Sequence, residues 1–191
     1  MTEITGTYDK LPDAVRRFVL HWGNLADRWG VTRSVSQVHA LLFAAERPLT
    51  ADEIAGLLDM ARSNVSTSLR ELAGWNLIRR VPVLGDRREH FAAETDLWTM
   101  VQRIAVGRKQ RELDPAANAL RECLAEARSD GDLSPQVRRR LEEMLEFVER
   151  AGSWYDQMLT LPKNQMLALM KLGAGVVRVL ERARGKRGAS G

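Results

Sequence analysis

The chain has 191 residues, 45% hydrophobic and 28% charged, with 29 basic against 25 acidic residues and a formal net charge of +4. That is the composition of a globular protein with room for one sizeable core or two small ones, and its mild basicity permits a polyanionic partner without requiring one. One cysteine excludes an internal disulfide or a cysteine-rich metal site, and three dispersed histidines give no ligand spacing, so no metal or other cofactor is expected. MTEITGTYDKLPD has neither a basic n-region nor an apolar stretch, and no run is long and apolar enough for a membrane span. A cytoplasmic protein without membrane contact is the expectation.

Residues 1–10 carry no periodicity and read as an arm. From Pro12 onward Leu11, Val15, Phe18, Trp22, Leu25 and Trp29 recur at the spacing of a helix seam, with Gly30 as its stop. A second helix is predicted over about 34–46 with Val35, Val38, Leu41, Leu42 and Ala45 inward, halted by Pro48. Thr50-Ala51-Asp52-Glu53 has the form of a capping box and opens a short helix over 51–58. A turn near Asp59–Ala61 leads to a third helix over 62–74, closed by Gly74.

The pattern then changes to a hairpin, the only clear β structure. Leu77–Val83 reads as a strand, Leu84–Arg88 as a turn and Glu89–Ala93 as the returning strand; Pro82 confines the first strand to a sheet edge. After Thr95 the chain reads as helical: about 96–112, a kink or break at Asp114-Pro115, about 116–128, a loop at 129–133, a stripe through Val137, Leu141, Met144, Val148, Ala151, Tyr155 and Met158, and a last helix through Met166, Leu169, Gly173, Val176 and Leu180. The fold class is therefore mainly α with a small β-hairpin, a winged helix-turn-helix plus a helical dimerisation region. The expected parts are an arm and dimerisation helix (1–32), a winged helix-turn-helix (33–94), a helical dimerisation region (95–184) and a disordered tail (185–191).

The third helix, ARSNVSTSLRELAG, carries the case for DNA. On a helical wheel Val65, Leu69 and Leu72 fall within about 60° and face the core. The opposite side presents Ser63, Thr67 and Arg70, flanked by Asn64 and Ser66, with Arg62 at the start and Glu71 as the sole acid. Short hydroxyl and amide side chains let a backbone approach base edges, and arginine bridges guanine O6 and N7. A structural polar face is the competing reading. Arg79 and Arg80 lie on the first strand, Arg87 and Arg88 at the hairpin tip, and Asp86 is placed to brace one of them. Residues 62–93 hold six arginines against three acids, whereas residues 1–94 balance twelve bases with twelve acids, so positive charge concentrates on helix and wing. A hairpin with solvated arginines is the plain alternative.

The stretch PLTADEIAGLLDMARSNVSTSLRELAGWNLIRRVPVLGDRREHFAAETDLW resembles the MarR superfamily, in its GbsR-type branch. Pro-Leu-Thr-x-x-Glu-Ile-Ala, Ser-Asn-Val-Ser-x-x-Leu-Arg-Glu-Leu, Gly-Asp-Arg-Arg and Thr-Asp-Leu-Trp carry the likeness, which spans about 10–112. It implies a dimeric winged-helix repressor or activator whose interface uses the N- and C-terminal helices. Where that branch often has Ser-Lys-Gly-Asn this chain has Ala61-Arg62-Ser63-Asn64, so the resemblance leaves the operator open. It also implies a small-molecule effector of the choline type. Trp22, Trp29, Trp98 and Trp154 offer the aromatic faces such a cation needs, as do Trp75 and Tyr155, although an aromatic stripe at helical spacing is more often core. Cys123 is expected as a buried structural thiol rather than a redox switch.

The reading is thus a homodimeric, sequence-specific regulator of transcription, not an enzyme, with double-stranded DNA as partner. The base-reading and phosphate-binding set is Arg62, Ser63, Asn64, Ser66, Thr67, Arg70, Arg79, Arg87 and Arg88. A winged-helix protein-interaction module and a non-specific architectural DNA binder are the alternatives.

Overall fold

The computed structural model describes residues 11–26, 28, 30–130 and 133–169 together with 172, with 128–130 described by backbone alone. The expected arm at 1–10, Trp29, most of the last helix with Gly173, Val176 and Leu180, and the tail at 185–191 lie outside the described residues. The chain divides into two compact units after Ile104.

In the first unit the elements follow the order α1 (Asp13–Ala26), α2 (Arg33–Ala44), β1 (Leu49–Thr50), α3 (Ala51–Leu58), α4 (Arg62–Gly74), β2 (Ile78–Val83), β3 (Asp86–Ala93) and the start of α5 (Leu97–Arg108). The core gathers around α2, in which all eight residues from Val35 to Leu42 are buried. A helix buried on every side loses its amphipathic signature, which is why Ser36, Gln37 and His39 look outward in sequence and are inward in the fold. Against it pack Val19 of α1, Ile54 and Leu58 of α3, Val65, Leu69 and Leu72 of α4, and Phe91 of β3. Gly23 brings α1 onto α2 so closely that a Cβ there would stand 2.6 Å from Gln37 Cγ. The helix 1 seam is split: Leu11, Val15 and Phe18 pack on this core, while Trp22 and Leu25 remain exposed.

Local signals set the boundaries. Thr50 and Glu53 form the expected capping box, with Thr50 N–H donating to Glu53 Oε2 at 2.7 Å and Glu53 N–H to Thr50 Oγ1 at 3.2 Å. The Arg47 guanidinium, donating to Glu53 Oε1 at 2.6 Å, is the main reason the Glu53 carboxyl is lowered to about 2. Asp59 closes α3 in the left-handed conformation at φ 49°. Helix α4 includes Gly74 rather than ending on it as a cap: the left-handed residue is Asn76, φ 56°, and Leu77 N–H reaches the Leu72 carbonyl at 3.0 Å.

The β structure is larger than the expected hairpin. It is a three-stranded antiparallel sheet in the order β1-β3-β2, with Thr50 opposite His90 and Leu49 opposite Phe91. Two residues are too few to show alternation, so β1 left no trace in the pattern. Strand β2 lies at the edge as Pro82 required, and the register slips between Val81 and Val83, at that proline. The turn is only Leu84-Gly85, closed by the Val83–Asp86 pair, with Gly85 at φ 81°. Asp86, Arg87 and Arg88, expected in the turn, are the opening residues of β3.

The second unit comprises the end of α5, a π-helical segment (Lys109–Leu113), α6 (Asp114–Asp130) and α7 (Pro135–Thr160), with residues 163–169 helical after Pro162. Of the kink or break expected at Asp114-Pro115, the break is absent. Asp114 keeps helical backbone at φ −63° and ψ −43°, and the widened π turn before it takes up the misfit. Lys109 ties this segment to Asp114 at 2.8 Å and to Asp156 of α7 at 3.4 Å. Ala117, Leu124 and Ala127 of α6 are buried, whereas α7 buries none of its residues fully. Cys123 is exposed on α6, not buried as expected, because the inward face is taken by Ala117, Leu124 and Ala127. No described helix is long and apolar enough to cross a membrane, and no acid, histidine or cysteine cluster among the described residues could hold a metal.

Candidate nucleic-acid interface

Helix α4 is anchored on one side by Val65, Ser68, Leu69 and Leu72, all buried. Their spacing leaves Arg62, Ser63, Asn64, Thr67, Arg70 and Ala73 exposed along the opposite face, with Ser66 half-buried at its edge. No acid lies among those exposed residues; Glu71 is half-buried on the flank. The side chains expected to face a partner from sequence therefore do share one surface. Ser68, whose hydroxyl would place it on that surface by chemistry alone, is buried without a hydrogen-bond partner.

The sheet stands beside this helix, and between them runs a groove of about 440 Å³ lined by Asp52, Arg62, Ser66, Arg70, Arg80, Arg88 and Glu89 over a floor that includes Leu69 and Phe91. The arginines of helix and wing fall into two groups. Arg62 Nε donates to Asp52 Oδ1 at 2.5 Å and its NH1 to Ser66 Oγ at 2.7 Å. Arg80 NH1 is 2.7 Å from Glu89 Oε1 across the hairpin. Arg88 is clamped by Asp86: its Nε is 3.0 Å from both carboxylate oxygens, its NH2 donates to Oδ2 at 2.5 Å, and its backbone N–H donates to Oδ1 at 2.9 Å. That guanidinium is the main cause holding the Asp86 carboxyl well below the ordinary carboxylate range, and Asp86 in turn raises Arg88. His90, buried behind the clamp, has Nδ1 3.0 Å from the Arg88 carbonyl and Nε2 3.5 Å from Asp86 Oδ2.

Arg70, Arg79 and Arg87 form the other group. All three are exposed and have no carboxylate partner among the described residues. An arginine already neutralised by a carboxylate must give up or share that partner before it can serve a phosphate, whereas a solvated one exchanges only water and counterions. The sequence treated Arg87 and Arg88 as equals; their positions on consecutive residues of a strand send them to opposite faces, and only Arg88 meets Asp86.

Sequence reasoning missed Asp52 and Glu89. The Asp52–Arg62 pair spans ten residues and two helices, a contact no local rule announces. Arg80–Glu89 is a diagonal pair, since Arg80 stands opposite Phe91, and the slip of register between Val81 and Val83 that sets it is not given by the two-residue turn. Of the aromatic candidates, Trp22 lies against Phe18 with ring centroids 5.6 Å apart, and Trp154 stands edge-on to Tyr155 at 6.2 Å. Trp98 is half-buried with its indole Nε1 unpartnered, and within the first unit no ring contact joins it to Trp22. Trp75 packs on the core.

Residues 25–89 match the profile of the MarR family. The chain is 23% identical over 141 residues to the HTH-type transcriptional repressor GbsR of Bacillus subtilis, covering 72% of this chain and 78% of that protein. It is 28% identical over 138 residues to the HTH-type transcriptional regulator MmpR5 of Mycobacterium tuberculosis, covering 72% and 79%. A solved crystal structure described as a transcriptional regulator superposes with a TM-score of 0.59 at 26% identity, covering 78% of this chain and 96% of that one. The segment 25–89 thus matches the MarR family, and the chain as a whole is similar over 72% of its length to HTH-type transcription regulators.

Proposed function

We propose that this chain is a homodimeric, sequence-specific regulator of transcription, with α4 entering the major groove and the β2–β3 wing lying on the minor groove or its phosphates. The observation that carries the reading is the acid-free outer face of α4 together with three arginines on helix and wing, Arg70, Arg79 and Arg87, that have no carboxylate partner among the described residues. Ser63, Asn64, Thr67 and Arg70 read base edges. Arg79 and Arg87 bind phosphates or the groove wall. Arg88 acts as an oriented charge braced by Asp86, whereas Arg62 is withheld from the phosphates by its pairing with Asp52.

The dimer is supported by apolar side chains that a lone chain leaves in water. Val137, Met144, Phe147 and Trp154 on α7 and Trp22 and Leu25 on α1 are all exposed, in segments where packing across a two-fold axis covers such stripes. Two copies of α4 then present themselves to successive major grooves about 34–36 Å apart, which requires a pseudo-palindromic operator. An effector that shifts this spacing is part of the proposal as the GbsR likeness suggests it; no aromatic cage is assigned to it.

The test is selection of bound fragments from sheared DNA of the source organism at physiological salt, with the mass of the recovered complex measured by light scattering. A palindromic motif held by two chains is expected. Uniform recovery of all fragments indicates an architectural binder, and no recovery at any salt indicates a protein-interaction module.

A further inference from the structure

The tip of the wing is apolar where a solvated hairpin would be polar. Leu84 is 104% exposed, Val83 is 38% exposed, and Pro82 before them is exposed as well. Single exposed apolar residues are ordinary, but three in succession at a hairpin tip are not. Nothing in the local backbone demands them. The turn conformation is met by Gly85 at φ 81°, and the position Leu84 occupies accepts polar residues or proline equally well. Pro82 sits where the register slips, between the Val81–His90 and Val83–Asp86 pairs.

We propose that Leu84, backed by Val83 and Pro82, is an apolar wedge that packs between the deoxyribose walls of the DNA minor groove while Arg79 and Arg87 hold the phosphates on either side. This rests on the DNA-binding reading above and adds a contact that reading does not contain. The occupant follows from the surroundings of the tip. The hairpin carries four arginines against two acids, and Arg79 and Arg87 have no carboxylate partner among the described residues, so the surface around the wedge suits a polyanion. The sugar edges of the minor groove are the apolar part of such a polyanion, and leucine is among the side chains that insert there.

An apolar contact displaces no counterion, and this gives the wedge a signature of its own. Leu84→Ala weakens binding to a labelled duplex of the selected sequence by about tenfold for each wing that engages. The slope of log affinity against log salt stays unchanged. Arg87→Ala, measured beside it, lowers that slope by about 0.9 per wing. Because Leu84 is fully exposed, Leu84→Ala keeps the thermal midpoint and dimer mass of the parent. Equal affinity of Leu84→Ala and parent overturns the wedge and leaves the DNA-binding reading standing. A loss accompanied by a lower salt slope also overturns it, since the variant then acts by displacing an arginine. A dimer that dissociates on the substitution would assign the tip to protein contact and overturn it likewise. If the parent itself binds no duplex, the DNA-binding reading fails and the wedge with it.

Discussion

Asp52→Asn is the perturbation that most sharply separates a brake from a brace. The Asp52 carboxylate takes the Arg62 guanidinium at 2.5 Å, at the mouth of the groove between α4 and the wing. The two side chains are 67% and 53% exposed, so breaking the pair changes folding stability by less than about 1 kcal/mol. On DNA the effect is larger. Asparagine keeps the shape and releases one arginine per subunit toward the phosphates, each of which contributes about 0.9 to the salt slope. At a salt concentration about tenfold below molar, that corresponds to about 1.2 kcal/mol, or about eightfold in affinity, for each engaged subunit. The expected result for mixed-sequence DNA is tighter binding with a steeper salt dependence, while the selected operator gains less, so the ratio between them falls. Fluorescence titration across a salt series measures both quantities. Weaker binding at an unchanged slope would refute the reasoning and make Asp52 the residue that aims Arg62.

Three further outcomes follow from the core. Burial lowers His39 from 6.5 to about 4, and its Nε2 has no partner; the unfolded chain therefore binds the proton first, and stability present above pH 6.5 is lost as pH falls toward 4, by up to about 3 kcal/mol. His39→Leu should abolish that loss, as read by urea denaturation at pH 7 and pH 5; an unchanged pH dependence would exclude His39 as its source. Gly23→Ala forces a Cβ to within 2.6 Å of buried Gln37 and should destabilise the first unit by about 1–3 kcal/mol, with Gln37→Ala restoring part of it in the double variant. Thr50→Ala removes a cap from α3 and costs about 1 kcal/mol. Because the Glu53 carboxyl is depressed from 4.5 to about 2, the contribution of the cap is complete above pH 4.5 and disappears as pH falls through 2; Glu53→Gln flattens that window in acid denaturation.

What could be read in advance was whatever depends on neighbours a turn apart. The buried and exposed faces of α4 follow from its period, the capping box from four consecutive residues, and the edge position of β2 from Pro82. Features fixed by distant segments were not legible. Helix α2 is covered on all sides, so its polar residues gave a false outward face. Strand β1 consists of two residues whose partners lie about forty positions away. Asp86, Arg87 and Arg88 have the composition of a turn but belong to a strand, where alternation separates the two arginines. The misfit at Pro115 is absorbed by a π-helical turn that leaves no mark in composition. The consequence for the site is specific: the arginines were countable from sequence, but which of them are neutralised by Asp52, Asp86 and Glu89 depends on tertiary contacts, and that partition decides their roles.

The central claim is that the outer face of α4 reads base sequence, and comparing the motifs selected from one pool of random duplexes by the parent and by Arg70→Ala tests it most directly. The account predicts a two-fold symmetric motif for the parent and, for the variant, loss of preference at one symmetric pair of positions with the rest retained. Identical motifs from the two proteins, or no enriched motif from the parent, would contradict it.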